Sequence, residues 1–158
     1  MPDSFDLCIL ATLQEDARIP MPELAERVGL SAPACYRRMR ALRDQGFIER
    51  EIAIVSPQAM GWPVTMVVLV TLERDRGRII EEIIARLQRA PEVTDVWYVT
   101  GDHDLVLHVA AKDMASYDAF THRVLHADEH VRSFKTLVVM RQAKRMAALP
   151  PASSVGKG

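Results

Sequence analysis

Apolar positions in the first third of the chain repeat with a helical period. Phe5, Ile9, Leu10 and Leu13 share one face of a helix running from about Phe5 to Glu15. Leu24, Ala25 and Val28 form a second stripe, with Pro22 suited to the first helical position. Gly29 ends that helix where a left-handed residue is easiest. Ser31 is a natural cap for a third helix, on which Cys35, Met39 and Leu42 recur at i, i+4 and i+7. Gly46 stops it, and Phe47-Ile48 returns as a hydrophobic anchor. Helices this short cannot bury a stripe alone, so the pattern predicts a trihelical unit over residues 1–50, its last two helices joined by a tight turn.

Residues 51–63 read as a linker strand, with Ile52, Ile54 and Val55 apolar and Pro57, Gly61 and Pro63 as punctuation. The pattern then changes. Val64 to Leu72 is a nearly unbroken β-branched and aliphatic run, expected to be a strand buried on both faces. Ile79, Ile80, Ile83, Ile84 and Leu87 make a helical stripe. Val93–Thr100 and Leu105–Ala111 read as strands, Asp113 caps a helix bearing Met114, Tyr117, Phe120, Val124 and Leu125, and Phe134–Met140 reads as a last strand. The order is βαββαβ over residues 64–145, a ferredoxin-like sheet with helices on one face. The chain is therefore read as α+β. Residues 146–158 lack periodic apolar positions and are expected to be disordered. Along the first strand Val64, Met66, Val68, Val70 and Leu72 fall on one side, Val67 and Leu69 on the other. One set must be covered from outside the helix layer, which predicts a sheet-to-sheet homodimer.

Composition narrows the class. The 158 residues are 49% hydrophobic and 26% charged, ordinary for a soluble globular chain. No apolar run approaches the ~20 residues of a membrane span. The acidic start MPDSFDLCIL is not a signal peptide. Cys8 and Cys35 lie on apolar helix faces, so buried free thiols in a reducing, cytoplasmic compartment are expected. His122, His126 and His130 are spaced by four, but no cysteine or carboxylate pair completes a metal set, and no metal or cofactor is expected.

Charge is distributed unevenly. Residues 31–50 hold Arg37, Arg38, Arg40, Arg43 and Arg50 against Asp44 and Glu49, a local +3 in a chain of net −1. Concentrated positive charge on a helix of a two-helix turn suits DNA phosphates. The DNA-contact candidates are Ser31, Ala32 and Ala34 at the start of the third helix, then Tyr36, Arg37, Arg38, Arg40 and Arg43. An arginine can read guanine bidentately or hold a phosphate, and the sequence does not assign these roles individually. Arg38 can instead pair with Asp44 or Glu49. Cys35 is read as core. Two recognition helices related by a dimer axis would read a palindromic operator in double-stranded DNA.

A second candidate lies at Thr100-Gly101-Asp102-His103-Asp104. Glycine permits positive φ and leaves amides for a carboxylate, while Asp102 or Asp104 can hold an ammonium, the two halves of an amino acid. The same residues are also ordinary hairpin-turn vocabulary. His103 adds a possible pH response, though a lone exposed histidine is usually an ordinary surface residue.

The segment ELAERVGLSAPACYRRMRALRDQGFI resembles the helix-turn-helix signature of the leucine-responsive/asparagine-regulator (Lrp/AsnC) family, and VTGDHDLVLHV resembles that family's C-terminal signature. The resemblance covers about residues 3–145. It implies a winged-helix-like DNA-binding domain and a ferredoxin-like sensing domain, dimers assembling to tetramers or octamers, and an amino-acid effector. It places the 100–104 loop at the ligand site, lined by Tyr98 and Val99, with Thr136 contributing a hydroxyl. The chain departs from the family pattern at Ala34, at Glu51-Ile52 and at Arg141. The expectation is thus a DNA-binding transcription regulator, not an enzyme. The alternative is a tetrapyrrole (siroheme-type) decarboxylase of the same two-domain fold, against which stand the arginine-rich helix and the lack of a paired acid and base.

Overall fold

A computed structural model of the chain describes residues 1–73, 77–144 and 149–150. The chain divides into two compact units, Met1–Ala53 together with residues 143–158, and Ile54–Gln142.

The first unit holds α1 (Ser4–Glu15), α2 (Met21–Val28) and α3 (Ala32–Asp44). Asp3 caps α1 in a reciprocal box with Asp6. Both α2 and α3 end on a glycine with positive φ, Gly29 at 74° and Gly46 at 76°. Leu30 N–H donates back to Ala25 O (3.0 Å) and Phe47 N–H to Leu42 O (2.9 Å), the wrap that satisfies carbonyls at a helix end. The core is Ile9, Leu24, Ala25, Val28, Cys35, Met39 and Leu42. Thr12 is buried on α1, while Phe5, expected inside, is exposed and instead lies under the Arg38 guanidinium, 5.5 Å from ring centroid. Within the same unit the Gln14 amide donates to Leu149 O (3.1 Å) and accepts from Leu149 N–H (2.9 Å). Apart from Leu149 and Pro150, the tail expected at 146–158 lies outside the described residues.

The linker strand expected at 51–63 is not formed in the single chain. Residues 51–56 are neither helix nor strand, and Ile52, Ile54 and Val55 are exposed. A strand needs a second strand to receive its backbone groups, and β-propensity alone supplies none. A turn follows at residues 57–61, where Gly61 adopts φ 79°.

The second unit runs β1 (Val64–Leu72), α4 (Gly77–Leu87), β2 (Val93–Tyr98), β3 (Leu105–Ala111), α5 (Met114–Phe120), a π-helix (Thr121–His126) and β4 (Val131–Val138). The strands form one antiparallel sheet in the order β2-β3-β1-β4. β4 begins three residues earlier than the apolar run suggested, because pairing with β1 recruits the polar Arg132 and Ser133 region into the sheet. β1 is not buried on both faces. Met66, Val68, Val70 and Leu72 are buried with Leu105, Leu107 and Val109 beneath Ile80, Ile83, Leu87, Tyr117, Phe120, Val124 and Leu125. The intervening Val67 and Leu69 are only partly buried, because the helices cover a single face. On that open face the strand register brings together Val67, Leu69, Val106, Trp97 and Leu137, with His108 and Asp95 beside them. Trp97 remains 44% exposed, and its ring meets His108 edge-on at 4.6 Å.

Candidate functional site

Two groups of residues carry candidate chemistry, one in each unit. In the first, α3 buries Cys35, Met39 and Leu42 and therefore turns Tyr36, Arg37, Arg40 and Arg43 outward. Ser31 is exposed at the N-cap position, without a side-chain capping bond; Ala32 and Ala34 are half-buried behind it. Tyr36 is 59% exposed, a large aromatic held in solvent. Burial pushes the Cys35 thiol up, in keeping with a core residue.

Ion pairing sorts the arginines of α3. Arg38 Nη1 donates to Asp6 Oδ1 (2.7 Å) and Asp3 Oδ2 (2.8 Å). The alternative partners weighed for it, Asp44 and Glu49, are not used; the capping box of α1 takes the guanidinium. Arg43 Nη2 donates to Glu51 Oε1 at 2.7 Å. Arg40 Nε lies 3.8 Å from Asp44 Oδ2 with both side chains largely exposed, a pair of little energetic weight. Arg37 makes no ion pair among the described residues. The pairs with Asp3, Asp6 and Glu51 were missed by the sequence reading. Asp3 and Asp6 gave one signal, two acids three apart at the start of a helix, but nothing in that spacing points to a residue on α3.

In the second unit β2 and β3 are joined through the loop 99–104. Val99 N–H donates to Asp104 O (2.9 Å), closing a hairpin around Thr100, Gly101 and Asp102, all exposed. Gly101 adopts φ 135°, a conformation suited to glycine. Asp104 is 8% exposed; its Oδ2 accepts from Leu72 N–H at 2.8 Å, and its own N–H donates to Val70 O at 2.9 Å. The carboxylate thus continues the β1 ladder where the strand ends. His103 Nδ1 lies 3.0 Å from Thr71 Oγ1 on the same strand. Tyr98 is exposed and Val99 half-buried. Thr136 sits on β4 opposite Val68, and its Oγ1 is 2.6 Å from the Tyr117 hydroxyl. Desolvation pushes the Tyr117 phenol up, opposed by the Thr136 bond. The structure therefore anchors Asp104 and His103 to β1 and ties Thr136 to α5, leaving Asp102 as the outward acid of the loop.

A family model for the AsnC-type helix-turn-helix domain matches residues 3–43, and one for the Lrp/AsnC ligand binding domain matches residues 65–149. This chain belongs to the Lrp/AsnC family. It is 44% identical over 148 residues (94% of this chain, 88% of the relative) to an HTH-type transcriptional regulator of Sinorhizobium fredii. It is 37% identical to the leucine-responsive regulatory protein of Rhizobium meliloti, over 90% of this chain and 91% of that one. Among solved structures, a transcriptional regulator of Neisseria meningitidis in complex with L-methionine superposes with a TM-score of 0.87 at 29% identity, covering 95% of this chain and 97% of that chain. The Lrp/AsnC assignment gives the two units their roles: a DNA-binding helix-turn-helix domain and the ligand-binding domain of a transcriptional regulator. The decarboxylase reading is not favoured, since these relatives carry regulator names. Among the described residues no helix is long and apolar enough to cross a membrane.

Proposed function

We propose that this chain is a sequence-specific transcription regulator that binds a palindromic operator as a homodimer and responds to an amino acid in its C-terminal domain. The observation that carries the reading is α3 itself, which holds Arg37 and Tyr36 in solvent on a helix whose other face is core. Arg37 and Arg40 reach bases or phosphates, and the start of the helix, from Ser31 to Ala34, approaches the groove. Arg43 serves once released from Glu51, and Arg38 supports α3 from behind through Asp3 and Asp6. The open apolar face of the sheet is the dimer surface, since side chains of this kind are each worth roughly 1.5–3 kcal/mol when buried. The loop from Tyr98 to Asp104 offers amides around Gly101 to a carboxylate and the Asp102 side chain to an ammonium. A structural relative bound to L-methionine supports an amino-acid effector here.

The test is fluorescence anisotropy with a labelled fragment from upstream of the protein's own gene, at two salt concentrations, with each of the twenty amino acids added. The reading requires affinity that falls steeply with salt, competition far stronger from the same fragment than from unrelated DNA, and a shift by at least one amino acid. Equal competition by unrelated DNA sinks the operator; indifference to all twenty sinks the effector.

A further inference from the structure

Among the described residues of the second unit, two irregularities of the backbone border one cavity, whereas a third, the register shift between Val93 and Asp95 on β2, does not line it. The helix begun by α5 widens into a π-helix over Thr121–His126. On β4 the register slips: Ser133 pairs with Thr71 and Val131 with Leu72, so Arg132 is passed over and has no partner across the ladder. Irregularities of both kinds are common beside binding sites, because they re-aim a side chain that a regular element would direct elsewhere. Between them lies a cavity of about 330 Å³ lined by Leu125, His126, Val131, Arg132, Ser133 and Phe134, at the lower end of the size range for small-molecule sites.

The lining divides by chemistry. Leu125 is buried core and Val131 and Phe134 pack against that core, giving an apolar floor. Above it stand one guanidinium, one imidazole and one hydroxyl, all able to donate hydrogen bonds. Arg132 is exposed and makes no ion pair among the described residues. The neighbouring Asp128 carboxylate is held by Arg86, so it does not neutralise Arg132. The exposed His126 ring stacks on His122 at 4.9 Å and meets Phe134 edge-on at 5.0 Å. A cation with no carboxylate partner among the described residues, an imidazole N–H and an apolar floor suit one ligand class: a small carboxylate with an aliphatic body.

We propose that this cavity is a second ligand site, selective for small aliphatic carboxylates and indifferent to an amino group. It is separate from the glycine-acid loop, which needs an ammonium, and it does not depend on the DNA-binding reading. The test uses the full chain and 4-methylpentanoate, which has a carboxylate and a branched body but no ammonium, titrated by calorimetry. Saturable binding in the millimolar range or tighter is expected. Arg132→Gln, an exposed position that should leave the melting midpoint unchanged, should weaken it at least about 10-fold, and Asp102→Asn should leave it unaltered. The amine with the same body, 4-methylpentan-1-amine, should not bind. Any of four results overturns the proposal: no binding of the carboxylate, equal binding in Arg132→Gln, equal binding of the amine, or loss of binding in Asp102→Asn.

Discussion

The Asp6 carboxylate and the Arg38 guanidinium stand 2.7 Å apart, joining the first turn of α1 to the middle of α3. Asp3 shares the same nitrogen at 2.8 Å. The Asp6 backbone N–H, with smaller help from Arg38 and against a desolvation cost, holds the Asp3 carboxyl below its ordinary 3.8. A depressed acid stabilises the fold fully above its unfolded value, and that contribution is lost as pH falls through the folded value. The N-terminal unit should therefore lose stability on acidification below about 3.8. Thermal melts followed by circular dichroism across that range should show a shallower loss in Asp3→Asn, which starts from a lower midpoint near neutral pH. An unchanged slope would show that Asp3 is not held this way.

The same contact separates two adjacent arginines. Arg37 has no carboxylate partner among the described residues, whereas Arg38 has two. Arg37→Ala should weaken operator binding about 10-fold, the size of one lost base or phosphate contact, with no change in melting midpoint. Arg38→Ala should do the reverse, lowering the midpoint while costing less affinity. Anisotropy and melting curves on both variants decide it, and equal affinity losses would return Arg38 to the DNA surface.

Arg43 is poised between these cases, because Glu51 holds it at 2.7 Å in a half-exposed pair. Such a pair adds little stability, so Glu51→Gln should leave the fold intact and free one cation. Binding to unrelated DNA should tighten, and the slope of log affinity against log salt should steepen by up to about one unit. A flat response would place Arg43 away from phosphate.

The elements that pack by local period were legible in the chain. Gly29 and Gly46 marked real helix ends, Asp113 caps α5 as expected, and Val64–Leu72 and Leu105–Ala111 are strands to the residue. What failed depended on partners distant in sequence. Ile52, Ile54 and Val55 have strand propensity, yet residues 51–56 are neither helix nor strand. Nothing near Thr136 announces Tyr117, and nothing near Asp104 announces the Leu72 amide, because tertiary packing alone creates both contacts. The π-helix was hidden for a related reason. Val124 and Leu125 continue the apolar stripe of α5, so the period does not reveal where the turn widens.

Asp104 is, with Asp102, one of two candidates for the effector's ammonium, and its geometry sets a stricter experiment. Its Oδ2 accepts from Leu72 N–H in a buried setting. Asp104→Ala leaves that amide without its acceptor, which should cost about 2 kcal/mol in denaturant unfolding. Asp104→Asn keeps an oxygen acceptor and should cost much less, while removing the negative charge. If the Asn variant keeps its fold and its amino-acid response, the charge resides on Asp102, and Asp102→Asn should abolish the response. If Asp104→Ala is as stable as the wild type, the Leu72 contact is not structural.

Trp97 and Leu137 lie on the sheet face that the helices leave open, with Val67, Leu69 and Val106 between them in the register. His108, edge-on to Trp97 and 3.7 Å from Asp95, puts a polar margin at one side of this surface. Were the face solvent-exposed in the working molecule, a carboxylate there would be harmless. If it is the seat of a second copy, Trp97→Glu or Leu69→Glu buries an unpaired charge in a symmetric contact, twice per dimer. Sedimentation velocity should then show the wild-type dimer dissociating at least about 100-fold more readily in either variant, with the monomer still folded. Gln88→Glu, exposed at the end of α4, should leave the dimer intact. Because one recognition helix reads only half of a palindrome, the dissociated variants should also lose about half of the salt dependence of operator binding. Dimers that survive both substitutions would move the assembly surface off the sheet.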